Sequence, residues 1–166
     1  MPVHPAKFLE LVRHPIKFRI FLFRKLPSAF FSGLQLKSID ASSAQVAVPY
    51  KWFTQNPFNS TYFACLAMGA EMSTGLLAML NIYGSDTPVS MLVKGLQANY
   101  YKKADSLTIF TCMQGEAIAV IIDAAIKTKE AQEITVTSTG KNIKGELITE
   151  FLITWSFKVK TPKTSI

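Results

Sequence analysis

Residues 61–83 read TYFACLAMGAEMSTGLLAMLNIY, and their only charge is Glu71. The charge-poor stretch reaches from Lys51 to Asp86. An apolar run of this length is too long for a strand and predicts several turns of helix, from about Ser60 to Tyr83. A helix apolar on all sides belongs in a protein core or in a bilayer. At about 1.5 Å per residue it is long enough to cross one. Gly69, Glu71, Ser73, Thr74 and Gly75 in its middle weigh against lipid, because a central carboxylate costs about 3 kcal/mol there. The expectation is one long buried core helix.

Working outward, the helix is preceded by the loop Thr54-Gln55-Asn56-Pro57-Phe58-Asn59-Ser60. Before that, Leu34 and Leu36, then Ala44, Val46 and Val48, predict a hairpin around the turn Asp40-Ala41-Ser42-Ser43. After it come a strand from Val89 to Tyr101 and another from Leu107 to Met113. Ile118, Ile121, Ile122, Ala125 and Ile126 then predict a short amphipathic helix over Gly115–Lys129. Strands over Glu133–Ser138 and Leu147–Lys160 close the chain, joined through Thr139-Gly140-Lys141-Asn142; the last alternates Phe151, Ile153, Trp155, Phe157 and Val159 on one face.

The 166 residues fit a single core domain over 34–160, an N-terminal segment over 1–33 and a tail over 161–166. In the N-terminal segment Phe8, Leu11, Val12, Ile16, Ile20, Phe23 and Leu26 recur with helical spacing, broken near Pro15 and stopped by Pro27, which predicts two short amphipathic helices. This segment carries +5 of the net +7. Two roles stay open for it: packing on the outside of the domain, or a basic face for anionic lipid. No secretory signal is evident, since basic residues interrupt the apolar positions, and the default expectation is a cytoplasmic protein.

Cys65 and Cys112 lie in apolar contexts without CxxC spacing and read as buried thiols rather than zinc ligands or a disulfide. His4 and His14 both precede the core domain, which disfavours a histidine-based triad, and no metal site is expected. The basic excess lacks the aromatic–basic motif of a nucleic-acid module, so no nucleic-acid partner is expected.

The order of hairpin, long apolar helix and antiparallel strands resembles the hotdog fold, an α+β arrangement in which a curved antiparallel sheet wraps a central helix. Asn56-Pro57-Phe58-Asn59-Ser60-Thr61-Tyr62 resembles the N-x-x-G/N-T-x-H-G-G entrance of acyl-CoA thioesterases of the phenylacetate-pathway group. Gln97-Ala98-Asn99-Tyr100-Tyr101-Lys102-Lys103-Ala104 is similar to that group's strand and R/K-P/A turn. The chain most resembles a branch whose domain has no assigned function. Where the thioesterases carry His-Gly-Gly, it has Tyr62-Phe63-Ala64.

The resemblance implies thioester hydrolysis with Glu71 at the catalytic carboxylate position, in a pocket shared between the subunits of a homodimer or a dimer of dimers. A lone carboxylate in an apolar helix has its pKa raised by desolvation, as a general base near neutral pH requires; holding an interface together is the other reading. Asn56 is either a second catalytic residue, orienting water or the substrate carbonyl, or an ordinary turn former. The unpaired backbone amides of Phe63 and Ala64 suit an oxyanion. Asn59 and Tyr62 in the entrance motif and the flexible Met68, Met72 and Met91 are candidates for substrate contact, and Ser73 and Thr74 on the helix either hydrogen-bond substrate or back-bond to helix carbonyls. Lys102 and Lys103 suit coenzyme A phosphates or simply solvent. Coenzyme A enters only as part of the substrate, and no cofactor is expected. The alternative is a non-catalytic acyl- or lipid-binding hotdog module, held at a membrane by its basic N-terminal helices.

Overall fold

The computed structural model describes residues 5–83 and 85–160. His4 and the tail over 161–166 lie outside the described residues. The N-terminal segment forms three helices rather than two: α1 (Pro5–Arg13), α2 (Pro15–Lys25) and α3 (Pro27–Ser32). Pro15 and Pro27 do not merely break a helix; each occupies the first turn of the next one, where its missing N–H costs nothing. His14 caps α2, its Nδ1 accepting from the Lys17 amide at 3.4 Å. Gly33, at φ 76°, ends α3 in the left-handed conformation that suits glycine.

Then follow β1 (Gln35–Ile39), β2 (Ala44–Val48), a 3₁₀ turn at Trp52–Thr54, and a two-residue hairpin of β3 (Gln55–Asn56) and β4 (Ser60–Thr61) where the sequence suggests plain loop. The long helix α4 runs Phe63–Ile82. It starts later than expected because Thr61 is held elsewhere: its amide and hydroxyl both donate to the Ala104 carbonyl, at 2.8 and 2.9 Å. Strands β5 (Val89–Tyr100) and β6 (Thr108–Cys112), helix α5 (Gly115–Thr128), and strands β7 (Gln132–Asn142) and β8 (Leu147–Val159) complete the chain.

The six long strands form one antiparallel sheet in the order β1-β2-β6-β7-β8-β5, with β1 and β5 at its edges. α4 packs against β2, β6, β7 and β8, and α5 lies beside it against β7 and β8. This is the expected hotdog arrangement. Strand β7 continues through Thr139-Gly140-Lys141-Asn142, which reads as a turn in sequence. Gly140 is needed there for packing, since a Cβ would meet the Phe110 ring at 2.8 Å and the Thr149 methyl at 2.9 Å. Buried Phe110, Phe151, Phe157 and Leu77 form one core with Phe8, Val12, Phe18 and Leu22 from α1 and α2, so the N-terminal helices belong to the same packed unit.

Gly69 sets how close α4 approaches the sheet. A Cβ there would lie 2.3 Å from a Val48 methyl and 2.8 Å from the Phe110 ring. Alanine gains about 1 kcal/mol in helix propensity over glycine, but overpacking costs about 1–3 kcal/mol. Gly69→Ala is expected to lower the urea midpoint, and a midpoint at or above wild type would show that the helix can retreat freely.

Candidate functional site

Glu71 sits midway along α4, partly buried, with no hydrogen-bond or ion-pair partner among the described residues. Burial alone pushes its carboxyl above the ordinary value. The side chain lies along its own helix over Gly75, where a Cβ would come within 3.2 Å of Oε1 and 3.4 Å of the Trp155 ring. Gly75 therefore makes room for the carboxylate, a role the sequence leaves unmarked.

Two hydroxyls fix the direction in which Glu71 points. Thr74 Oγ1 donates to the Glu71 carbonyl at 2.9 Å and accepts from Trp155 Nε1 at 2.9 Å, tying α4 to β8. Ser73 Oγ donates to the Ala70 carbonyl at 2.8 Å and meets Ser138 Oγ at 2.7 Å, tying α4 to β7. Both residues are fully buried and back-bond to carbonyls three residues earlier, the second of their two expected roles, so their hydrogen-bonding capacity is spent on orienting the helix and not on substrate.

The three methionines do gather around Glu71. Met72 and Met91 share with it a cavity of about 40 Å³, closed by Phe18, Phe21, Leu22 and Leu26 of the N-terminal segment. Met68 and Met72 share with it a second space of about 160 Å³ under Lys25, Pro27 and Ser28. The smaller one holds only a few water molecules, so the expected acyl groove is not open here. The α2–α3 junction that covers Glu71 is the part of the site that sequence motifs did not reveal. The repeated apolar positions of α2 were the available signal.

The other candidates gather elsewhere. Asn56, Tyr62, Phe63, Lys102 and Lys103 line a separate cavity of about 580 Å³ with Phe58, Leu66, Tyr100 and Tyr101. Asn56 Oδ1 accepts from the Phe58 amide at 2.9 Å, the turn-forming role, and its Nδ2 has no bonding partner among the described residues. Asn59, at φ 55°, shapes the turn and does not line the cavity. Tyr62 is the cap residue of α4 without a side-chain cap bond, and the amides of Phe63 and Ala64 have no acceptor among the described residues. The Phe63 ring stands exposed at this mouth, edge-on to Tyr62 with centroids 4.8 Å apart. Lys102 pairs with Glu146 at 2.6 Å, and Lys103 donates to the Phe58 carbonyl at 3.2 Å. Glu71 follows Phe63 by eight residues, about 12 Å along the helix, so within one chain the two clusters are apart.

The family described as Domain of unknown function (DUF4442) matches residues 17–157. The chain belongs to that family. Its fold is shared with a Pseudomonas aeruginosa protein of unknown function described as a probable thioesterase, at 18% identity and TM-score 0.74, covering 88% of this chain and 97% of that one. A Chlorobaculum tepidum protein of unknown function is similar at 16% identity and TM-score 0.73, covering 88% and 97%. A Haemophilus influenzae thioesterase is similar at 11% identity and TM-score 0.68, covering 90% and 94%. At these identities the likeness establishes the hotdog fold. No curated protein matches the chain in sequence.

The raised Glu71 pKa has a consequence for this DUF4442 protein. The folded state holds a proton that the unfolded chain releases between the ordinary glutamate value and the raised one, so stability is full below that window and falls as pH rises through it. Glu71→Gln is expected to raise the melting temperature at neutral pH and to leave it unchanged at acidic pH. An equal effect at both would rule out a charge penalty.

Proposed function

We propose that the protein hydrolyses an acyl-CoA or related thioester at a site completed by two copies of the chain. The observation that carries this reading is Glu71: a lone carboxylate on a core helix, without a partner, with a glycine beneath it and its pKa raised by burial. A charge kept at such cost is typical of a functional group. Glu71 takes a proton from a water whose oxygen bonds to the acyl carbon, or attacks that carbon itself to form an anhydride that water then cleaves to free the acid and Glu71, while the thioester carbonyl rests on the amides of Phe63 and Ala64. The acyl–sulfur bond breaks, and coenzyme A leaves with its sulfur reprotonated.

The 12 Å between helix start and carboxylate cannot act on one carbonyl, where contacts of about 3 Å are needed. A second copy supplies the missing half. The edge strand β5 supports this, for one of its sides is unpaired along twelve residues and it carries exposed Leu92 on one face and, past the bulge between Val93 and Gly95, exposed Leu96 and Tyr100 on the other. A dimer paired along β5, alone or as half of a tetramer, sets Glu71 of one copy against Asn56 and the helix start of the other. Asn56 Nδ2 orients the water or carbonyl, and Lys103, beside Lys102, meets the coenzyme A phosphates. Two free buried cysteines fit a reducing, cytoplasmic setting.

Purified protein is expected to release thiol from acyl-CoAs, with a rate that rises with pH as Glu71 ionises and falls at least about a hundredfold in Glu71→Gln. Mixing inactive Glu71→Gln and Asn56→Ala chains after reversible unfolding is expected to restore about a quarter of the activity, since half of the random dimers carry one intact site. No recovery would place the site within one chain. The exposed Phe63, standing where the resembling thioesterases have glycine, favours a second reading in which the fold holds an acyl group without turnover. Tight acyl binding with no thiol release from any chain length would select it.

A further inference from the structure

Helix α2 is apolar on two faces. Phe18 and Leu22 enter the core, while Ile16, Ile20 and Phe23 form a second stripe in solvent, Ile16 65% and Phe23 55% exposed. The stripe extends through a chain of rings beyond the helix. Phe23 meets Phe30 and Phe31 edge-on, Phe31 lies against Phe53, and Phe53 against Trp52, which is 81% exposed. A contiguous apolar face of this kind is more than an isolated exposed side chain and points to a partner.

Cations are interleaved with it. The Arg19 guanidinium lies 4.0 Å over the Phe30 ring, and Lys51 Nζ donates to the Phe31 carbonyl at 3.2 Å. Both also border a groove of about 820 Å³ between the first two helices and β1, shared with Arg13 and Lys37 and lined by no carboxylate among the described residues. Lys17, Arg24 and Lys25 lie on the same helix, and Glu10 is the only acid of α1–α3.

We propose that this face docks the protein on an anionic lipid bilayer. The side chains of Ile16, Ile20, Phe23, Phe53 and Trp52 enter the boundary between headgroups and acyl chains, and the basic groove receives lipid phosphates. A second copy is a poorer occupant, because a two-fold contact through this face would set one strongly basic surface against another. The proposal does not depend on thioester hydrolysis and stands or falls separately from it.

The test is cosedimentation of the full chain with vesicles of phosphatidylcholine alone and of phosphatidylcholine mixed with phosphatidylglycerol. Binding is expected only to the mixed vesicles, to weaken with added salt, and to drop about tenfold or more in Ile20→Glu/Phe23→Glu, while the cooperative thermal unfolding of the variant stays as in wild type. Arg24→Glu, an exposed change that touches no core packing, is expected to weaken binding in the same direction. Wild type that stays in the supernatant with both vesicles overturns the proposal, as does binding that neither variant reduces. A larger oligomer in solution that Phe23→Glu disperses overturns it in favour of self-association.

Discussion

The hydrogen bonds from α4 to the sheet, Trp155 to Thr74 and Ser138 to Ser73, do what hydrophobic burial cannot do for this helix. A helix apolar around its whole circumference gains nearly the same free energy at any rotation about its axis. Buried hydroxyl and indole groups do not, because each left unpaired costs about 1–3 kcal/mol. Two such pairs on successive residues select one rotation. That choice turns Glu71 away from the sheet and toward the N-terminal helices, and lays its carboxylate over Gly75.

The same rotation explains why α1–α3 are part of the core. Phe18, Leu22 and Leu26 cover the side of α4 that the sheet does not reach, and Glu71 stands at that seam. Its neighbours in the smaller space are leucines, methionines and phenylalanines, which offer neither donors nor charge, and Lys25 and Ser28 at the second space make no bond to it. The chain thus separates a carboxylate in an apolar seam from a helix start with free amides, and the distance between them is fixed by helix geometry alone.

Most of the fold was legible because its signals are local and periodic. The hairpin of β1 and β2, the long apolar helix and the alternation in β8 follow from residue spacing. What escaped depends on contacts distant in sequence. Thr61 gives up the helix for Ala104, Gly140 stays in β7 because Phe110 crowds it, and Pro27 opens a third helix as well as ending the second. In the site, Glu71 stood out as the one charge in a long apolar stretch. Ser73 and Thr74 kept two readings because a hydroxyl beside a candidate carboxylate looks the same in sequence whether it faces a substrate or a strand. The cover over Glu71 was legible only as a recurrence of apolar positions in α2, since nothing in a motif tells which residues of a separate helix will close over the carboxylate.

The chain has two tryptophans, and they report on opposite parts of the molecule. Trp155 is buried, with its indole N–H bonded to Thr74, whereas Trp52 stands in solvent at the far end of the aromatic face. Their fluorescence separates naturally into a short-wavelength component, sensitive to the docking of α4 on the sheet, and a long-wavelength one that water-soluble quenchers reach first. The wild-type protein thus carries two intrinsic optical probes, and neither needs a label to be attached.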